Sequence, residues 1–312
     1  MEGPRRLVSV GIPTYNRARS LERAVRSALA QEGPEIEVVV SDDGSSDDTA
    51  QLLERLSADD PRLRHVRQPR NLGHARNFQV VFELSRGDYF MWLSDDDELA
   101  PGYVRHCLEA LEADPQLVGV CGRGRYHRPG ADPLLERPMN LVSPRASARV
   151  LRYFAQVTLN GALYSLWPRS VLSGTPFREV ISGDWVLVGA LAAQGSIRTL
   201  EDVHIVRSLS GISTDATALA EQEFGRVGPI ERHAPHVGSG WIVFRHIARE
   251  EPAYGALGGG RRVLVAVIAG LLVAARFTTI EYGRRLLRRA GLLAAARRVL
   301  SPLRAHRHRS GR

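Results

Sequence analysis

Three short apolar runs in the first hundred residues, each ending abruptly in small, polar or acidic residues, organise this chain. The first, at 7–12 (Leu-Val-Ser-Val-Gly-Ile), stops at Pro13-Thr14-Tyr15-Asn16. The second, at 36–40, stops at Ser41-Asp42-Asp43-Gly44-Ser45-Ser46, and the third, at 89–93, stops at Ser94-Asp95-Asp96-Asp97-Glu98. Unbroken apolar runs of this length predict strands buried on both faces. Between them the spacing becomes helical. Leu21, Ala24, Val25, Ala28 and Leu29 share a face after the capping residue Ser20, and Leu52, Leu53 and Leu56 share one after Asp47 and Asp48. Leu63–Arg67 predicts a further short strand, and 77–84 a helix behind a glycine-containing loop. Such strand–turn–helix units predict an α/β fold: a Rossmann-like, mixed but mostly parallel sheet flanked by helices, with right-handed crossovers.

Beyond residue 102 the pattern predicts a helix at 102–113, a strand at 117–121, a Pro-, Gly- and Arg-rich loop at 123–145 and a helix from 149. A strand at 160–165, a helix behind Asp184 and closing strands at 197–200 and 203–206 complete the expectation. A polar, helix-prone stretch (214–231), an amphipathic stretch (241–248) and Gly258-Gly259-Gly260 then lead into a different kind of segment. The expected organisation is one domain over 1–215, divided near 102, a helical linker over 216–260 and a tail over 261–312.

Charge sharpens that boundary. The chain carries +8 overall, but 261–312 holds thirteen arginines and one acid, Glu281, which leaves the first 260 residues at −4. There is no lysine anywhere. A basic tail points to an anionic lipid surface. Without aromatic interleaving or a recognisable module, no nucleic acid is expected as partner. The apolar run 263–275, at about 1.5 Å per residue, reaches roughly 20 Å and falls short of a hydrocarbon core roughly 30 Å thick. Leucines from Leu286 to Leu300 alternating with Arg284, Arg285, Arg288, Arg289, Arg297 and Arg298 form the basic amphipathic pattern of helices that lie in a membrane surface. The apolar stretch near the N-terminus is too short for a signal peptide, so residence at the cytoplasmic side, peripheral on the membrane, is expected. Cys107 and Cys121 offer neither a disulfide framework nor zinc spacing and read as small buried hydrophobes.

The chemistry follows from where the acids fall. Three polar turns leave one edge of a parallel sheet, the edge at which open α/β sheets hold ligands. Carboxylates crowded at 95–98 repel one another unless a cation sits among them, and hard oxygen ligands favour Mg²⁺ or Mn²⁺, which holds phosphates in turn. A nucleotide fits this crevice, with Pro13, Thr14, Tyr15, Asn16 and the Asp42-Asp43 turn at its base or ribose. A pyrophosphate would be reached through metal at Asp95 and Asp96, with Asp97 beside them, and Arg76, at a helix start, is an anion contact. Asp184 opens an amphipathic helix and reads either as a helix cap or as a general base.

These stretches, Val8 to Arg17, Asp42-Asp43-Gly44-Ser45 with Thr49, Asn71 to Asn77, and Leu93 to Asp97 with Pro101, resemble family 2 glycosyltransferases over about residues 7–215. The resemblance implies the A-type nucleotide-diphospho-sugar transferase fold, with inverting transfer of a sugar from a UDP, dTDP or GDP donor. The acceptor would be a carbohydrate or lipid-linked hydroxyl, in cell-envelope polysaccharide or glycolipid synthesis. By position, Pro13, Tyr15 and Asp43 would bind the nucleotide, Asp95 would lie against ribose or sugar, Asp96 would be the principal metal ligand and Asp184 the base. Ser94 stands where many relatives carry a first aspartate, and Gly183 where they carry a glutamate. Leu209 stands where they carry a metal-binding histidine, His204 being the nearest histidine. The rival reading is a non-catalytic sugar-nucleotide or polysaccharide-binding subunit on the same fold.

Overall fold

The computed structural model of this 312-residue chain describes residues 6–126, 132–208 and 234–289, with side chains as far as 276. The apolar runs form β1 (Leu7–Thr14), β2 (Glu35–Asp42) and β4 (Tyr89–Trp92), with β3 (Leu63–Arg67) outside β2. They lie in the order β3-β2-β1-β4, all parallel, and the antiparallel β8 (Trp167–Pro168) closes the far side. Val8, Val10, Ile12, Phe90, Met91 and Val38 are fully buried, as strands covered on both faces require. The covering helices are α1 (Ala18–Leu29), α2 (Thr49–Asp59), α3 (His74–Leu84) and α4 (Tyr103–Ala113). Register places Thr14 opposite Asp42 and Gly11 opposite Trp92, so the loops after β1, β2 and β4 leave one edge together.

A second sheet orders β5 (Glu98–Leu99), β9 (Ser196–Arg207), β6 (Leu117–Tyr126) and β7 (Leu134–Leu135). β6 and β9 are parallel, and both edge strands are antiparallel. The two closing strands expected at 197–200 and 203–206 are thus one strand, its register shifted between Gly122 and Arg123 of its partner. The strand expected at 160–165 is instead a 3₁₀ turn, Gly161–Tyr164. Asn160 adopts the left-handed conformation (φ 47°) ahead of a glycine, and local bonds from Leu163 N–H to Asn160 O and from Ser165 N–H to Ala162 O curl the chain. α1 starts at Ala18 rather than behind Ser20, whose hydroxyl bonds back to Arg17 O. α5 (Ala146–Gln156), α6 (Arg169–Leu172) and α7 (Gly183–Gln194) complete this half, and both cysteines are buried, as expected.

The C-terminal helices α8 (Pro235–Arg245) and α9 (Gly259–Arg289) run antiparallel, their backbones close at Gly240 and Gly270. α9 packs on α5, and its Val265, Ala266, Ala269 and Val273 belong to the same buried core as β1 and β4. The front of the basic segment is therefore a wall of the folded body. No helix among the described residues is long and apolar enough to cross a membrane. Leu209, the 214–231 stretch and the basic residues after 289 lie outside the described residues.

Gly11 shows how tightly the central strands are packed. A methyl at its Cα would fall 2.6 Å from the Phe90 ring and 2.9 Å from Val81. Gly11→Ala is expected to lower unfolding free energy by about 1–3 kcal/mol, as overpacked cores do, read from denaturant unfolding.

Candidate active site

The three loops are cross-linked at the sheet edge. Asp43 N–H donates to Thr14 O at 2.9 Å, joining the ends of β2 and β1. Asn16, in left-handed conformation at φ 54°, donates from its N–H to Ser45 Oγ at 2.8 Å and accepts from Ser46 N–H at 2.7 Å. Thr14 Oγ1 donates to Asp95 Oδ2 at 2.8 Å, tying the end of β1 to the aspartate loop after β4. Pro13 is buried beside these contacts, whereas the Tyr15 ring stands 42% exposed.

Asp43 is buried, and its carboxylate accepts from the N–H groups of Leu72 (2.7 Å) and Gly73 (3.1 Å). Burial raises its pKa, and those two amides oppose the rise. Asp42 builds the turn: one oxygen accepts from Ser45 N–H at 2.9 Å and the other lies 3.6 Å from Arg67. Arg76, read as an anion contact, pairs instead with Glu83 at 2.8 Å on the surface of α3. The helix starts three residues earlier than expected, at His74, which places Arg76 inside its first turn with a partner two turns on.

The aspartates of the third loop divide. Asp96 accepts from Ser94 Oγ at 2.9 Å and from Arg17 at 2.9 Å, and the same guanidinium lies 3.9 Å from Asp95. Burial raises the Asp95 pKa to about 6, a rise that Thr14 and Arg17 oppose and the Asp96 charge reinforces. Asp97, expected beside Asp96 as a metal ligand, is buried with its carboxylate spent on protein donors: Arg207 Nε at 3.3 Å and Ser208 N–H at 3.0 Å. Burial raises its pKa to about 6 as well, against the pull of Arg207.

Asp95 and Asp96 offer the hard oxygen donors that Mg²⁺ or Mn²⁺ takes. Asp95 Oδ1 lies 3.9 Å from Arg17, which also pairs with Asp96 at 2.9 Å. No cluster of three or more His, Cys, Asp or Glu with metal-binding geometry occurs among the described residues, so the remaining ligands would be water and a bound diphosphate. His204 sits in β9, its carbonyl accepting from Ala100 N–H at 3.2 Å. The residues therefore fit a cation held jointly with a phosphorylated ligand.

Asp184 lies in the first turn of α7. Ser182, left-handed at φ 59°, precedes the helix, and its carbonyl accepts from the N–H groups of Trp185 and Val186. Asn160 Nδ2 donates to Asp184 Oδ2 at 2.8 Å, while Asn160 Oδ1 accepts from Tyr153 OH at 2.8 Å. Burial raises the Asp184 pKa, and the Asn160 bond and the helix-start amides oppose the rise. Arg207, which binds Asp97, also holds the Leu159 carbonyl, and the neighbouring Asn160 holds Asp184, so the two acids are linked through the segment 159–160.

Four residues of this network escape a reading by composition. Arg17 lies within the first turn but carries no signal beyond charge, and Asn160 is marked only by the Asn-Gly dipeptide. Tyr153 and Arg207 become visible only once the segment 159–160 is brought against both of them.

A parallel sheet with an aspartate-lined mouth, backed by a smaller mixed sheet, is the A-type nucleotide-sugar transferase fold. The model of "Glycosyl transferase family 2" matches residues 9–163, and this segment belongs to that family. The chain is 38% identical to chondroitin synthase of Escherichia coli over 138 residues, 44% of this chain and 19% of that one. It is 29% identical over 187 residues to a GalNAc(5)-diNAcBac-PP-undecaprenol beta-1,3-glucosyltransferase of Campylobacter jejuni, 57% of this chain and 56% of the other. The chain thus spans little more than half of one of these relatives and about a fifth of the other. Among solved structures it shares the fold of S. aureus TarS 1–349 in complex with UDP-GlcNAc. The TM-score there is 0.53 at 16% identity, over 86% of this chain and 81% of that one.

The two raised carboxyls have a consequence for stability. Folded Asp95 and Asp97 hold protons up to about pH 6, whereas the unfolded chain releases them near the ordinary aspartate value of 3.8. The folded state thus binds more protons between those values, and their contribution to stability falls as pH rises through that window. Asp95→Asn is expected to flatten this dependence, measured as the wild-type-minus-variant difference in urea unfolding from pH 4 to 7.

Proposed function

We propose that the chain is a metal-dependent, inverting glycosyltransferase that moves a sugar from a nucleotide diphosphate to an acceptor hydroxyl. The observation that carries this reading is the bond between Thr14 and Asp95 at 2.8 Å, which joins the nucleotide-side loop to the aspartate loop at one edge of the sheet. Family membership of 9–163, and relatives whose names are those of sugar polymer synthases and a glucosyltransferase, support the same reaction. The catalytic unit is taken as 1–215, nucleotide side to 102 and acceptor side after it.

In this reading Tyr15, Pro13 and Asp43 border the base and ribose, and Asp95, steadied by Thr14, lies against the ribose or sugar. Mg²⁺ or Mn²⁺ bound by Asp96 would supply positive charge beside the departing diphosphate. Arg17, now paired with Asp96, is the protein's own cation at that position. Asp97 serves the frame through Arg207 rather than holding metal. Asp184 takes the proton of the acceptor hydroxyl as that oxygen forms its bond to the anomeric carbon. The bond from that carbon to the phosphate oxygen breaks on the opposite face, and its electron pair leaves with the nucleoside diphosphate. Asn160 holds Asp184 through Oδ2 and fixes the orientation of the carboxylate.

The acceptor is a carbohydrate or lipid-linked hydroxyl, and the chain works peripherally on the cytoplasmic face of a membrane, its basic C-terminal segment toward anionic lipid. UDP is the first donor base to try, because the TarS fold holds UDP-GlcNAc.

Asp96→Asn is expected to abolish transfer with unfolding behaviour unchanged, and chelator should do the same to the wild type. Full activity in both would remove the metal from the mechanism. Asp184→Asn should lower kcat by about 10²–10⁴-fold while donor binding, followed calorimetrically, persists. Wild-type turnover in that variant would reduce Asp184 to a helix residue. Asn160→Ala removes the donor that opposes the raised Asp184 pKa, so the acidic limb of its kcat profile should move to higher pH.

A further inference from the structure

Among the described residues, six of the ten large hydrophobic side chains left exposed lie on the last two helices. They are Val237 and Trp241 on α8, and Val263, Leu264, Val267 and Leu271 on α9. Helix geometry places them together. Along α8, Ser239, Val243 and His246 face the core, while Gly240 and Phe244 meet Gly270 of α9. Val237 and Trp241 are left on the outer side. Along α9, Val265, Ala269 and Val273 face the core, and Gly270 and Ala274 meet α8. Leu264, Val267 and Leu271 then recur at spacings of three and four residues on the outer side. Trp241 stacks on Phe244 at 5.3 Å, and Leu264 and Leu271 are 59% and 64% exposed. The antiparallel pair thus presents one apolar strip to the outside, of a kind that marks an interaction surface.

We infer that this outer face of α8 and α9 docks on an anionic lipid surface, with both helices lying in the interface. The inference deepens the membrane assignment made above by naming the residues that enter the lipid, and it stands apart from the catalytic reading. Charge selects the occupant. Arg249 and Arg261 are exposed near the end of the strip, and the thirteen arginines of 261–312 face a single glutamate. A second copy of this face would bring Arg249 and Arg261 against their like, whereas anionic headgroups neutralise them. A tryptophan among leucines and valines, bordered by arginine, is the composition of a helix surface at the headgroup level. The helices cannot cross: no described helix is long and apolar enough.

The test is sedimentation of the full-length chain with vesicles of phosphatidylcholine alone, or mixed with phosphatidylglycerol. Wild type should bind the mixed vesicles well above the neutral ones. The double variant Leu264→Gln, Leu271→Gln should bind at least about tenfold more weakly, since two buried leucine side chains are withdrawn from the apolar phase. Both positions are exposed, so thermal unfolding and sugar transfer to a soluble acceptor should match wild type, which separates a docking failure from a catalytic one. Equal vesicle binding by the variant would overturn the proposal, as would equal binding to neutral vesicles. Light scattering gives the last outcome. A wild-type dimer that the double substitution dissociates, with no vesicle binding by either, would assign the strip to a second copy and overturn it too.

Discussion

The guanidinium of Arg207, buried at the end of β9, joins the two halves of the crevice. It reaches Asp97 at 3.3 Å, Glu136 at 3.4 Å, Tyr126 OH at 2.7 Å and the Leu159 carbonyl at 3.1 Å, and it lies 4.6 Å from the centre of the Tyr164 ring. Burial alone would lower its pKa, but the surrounding acids and phenols hold it above the ordinary arginine value. A buried charge with this many partners is not a cheap source of stability, because desolvation offsets much of the attraction. What it fixes is geometry. Removing one partner strands the other charge, at a cost of about 3–5 kcal/mol, so the aspartate loop and the segment 159–161 are held as one unit. Through Leu159 and Glu136, which accepts Gly161 N–H at 3.1 Å, that unit includes Asn160 and hence Asp184.

This division of labour explains how three consecutive aspartates coexist. If all three faced the same space unpaired, their mutual repulsion would protonate one of them. The fold separates them by partner. Asp97 turns to Arg207, Asp95 takes the Thr14 hydroxyl, and Asp96 takes Ser94 and Arg17. Ser94, standing where relatives carry an aspartate, removes one negative charge and adds a donor to Asp96. Three aspartates are thereby met by two guanidinium groups, and a divalent ion at Asp96 would have to compete with Arg17 for that carboxylate.

Much of this was legible in the sequence because the parallel sheet leaves an unambiguous mark. β1, β2 and β4 are buried on both faces, so their apolar runs are unbroken, and the polar residues that end them fall at the ligand edge. Asp43, Asp95 and Asp96 fall at that edge for the same reason. The misses have a common cause. Arg76, Asp97 and Asn160 are polar residues whose roles depend on a partner far along the chain or on a local backbone choice, and periodicity says nothing about either. Asn160 is the clearest case: Ala162, Leu163 and Tyr164 are buried as a strand's residues would be, yet the left-handed Asn160 ahead of Gly161 turns them into a 3₁₀ turn. The basic segment carried two readings, a helix on a membrane surface and a helix pair packed on the catalytic domain, and charge alone does not separate them. The small residues Ala266, Ala269 and Gly270 let the front of α9 approach α5 and α8 closely.

That approach ties the end of the chain to the start of α7. Ser182, whose left-handed backbone sets the first turn that carries Asp184, bonds through its hydroxyl to Ser239 of α8 at 3.1 Å. Arg178, four residues earlier, pairs at 3.1 Å with Glu251, which is 1% exposed. A carboxylate that deep is kept only with its partner in place, so the connection between α8 and α9 and the loop before α7 order each other. The inner side of the helix pair thus holds the turn that carries Asp184, while the outer side bears the apolar strip. The apolar strip and the first turn of α7 are therefore opposite sides of one packed unit, joined by the Ser182–Ser239 and Arg178–Glu251 contacts.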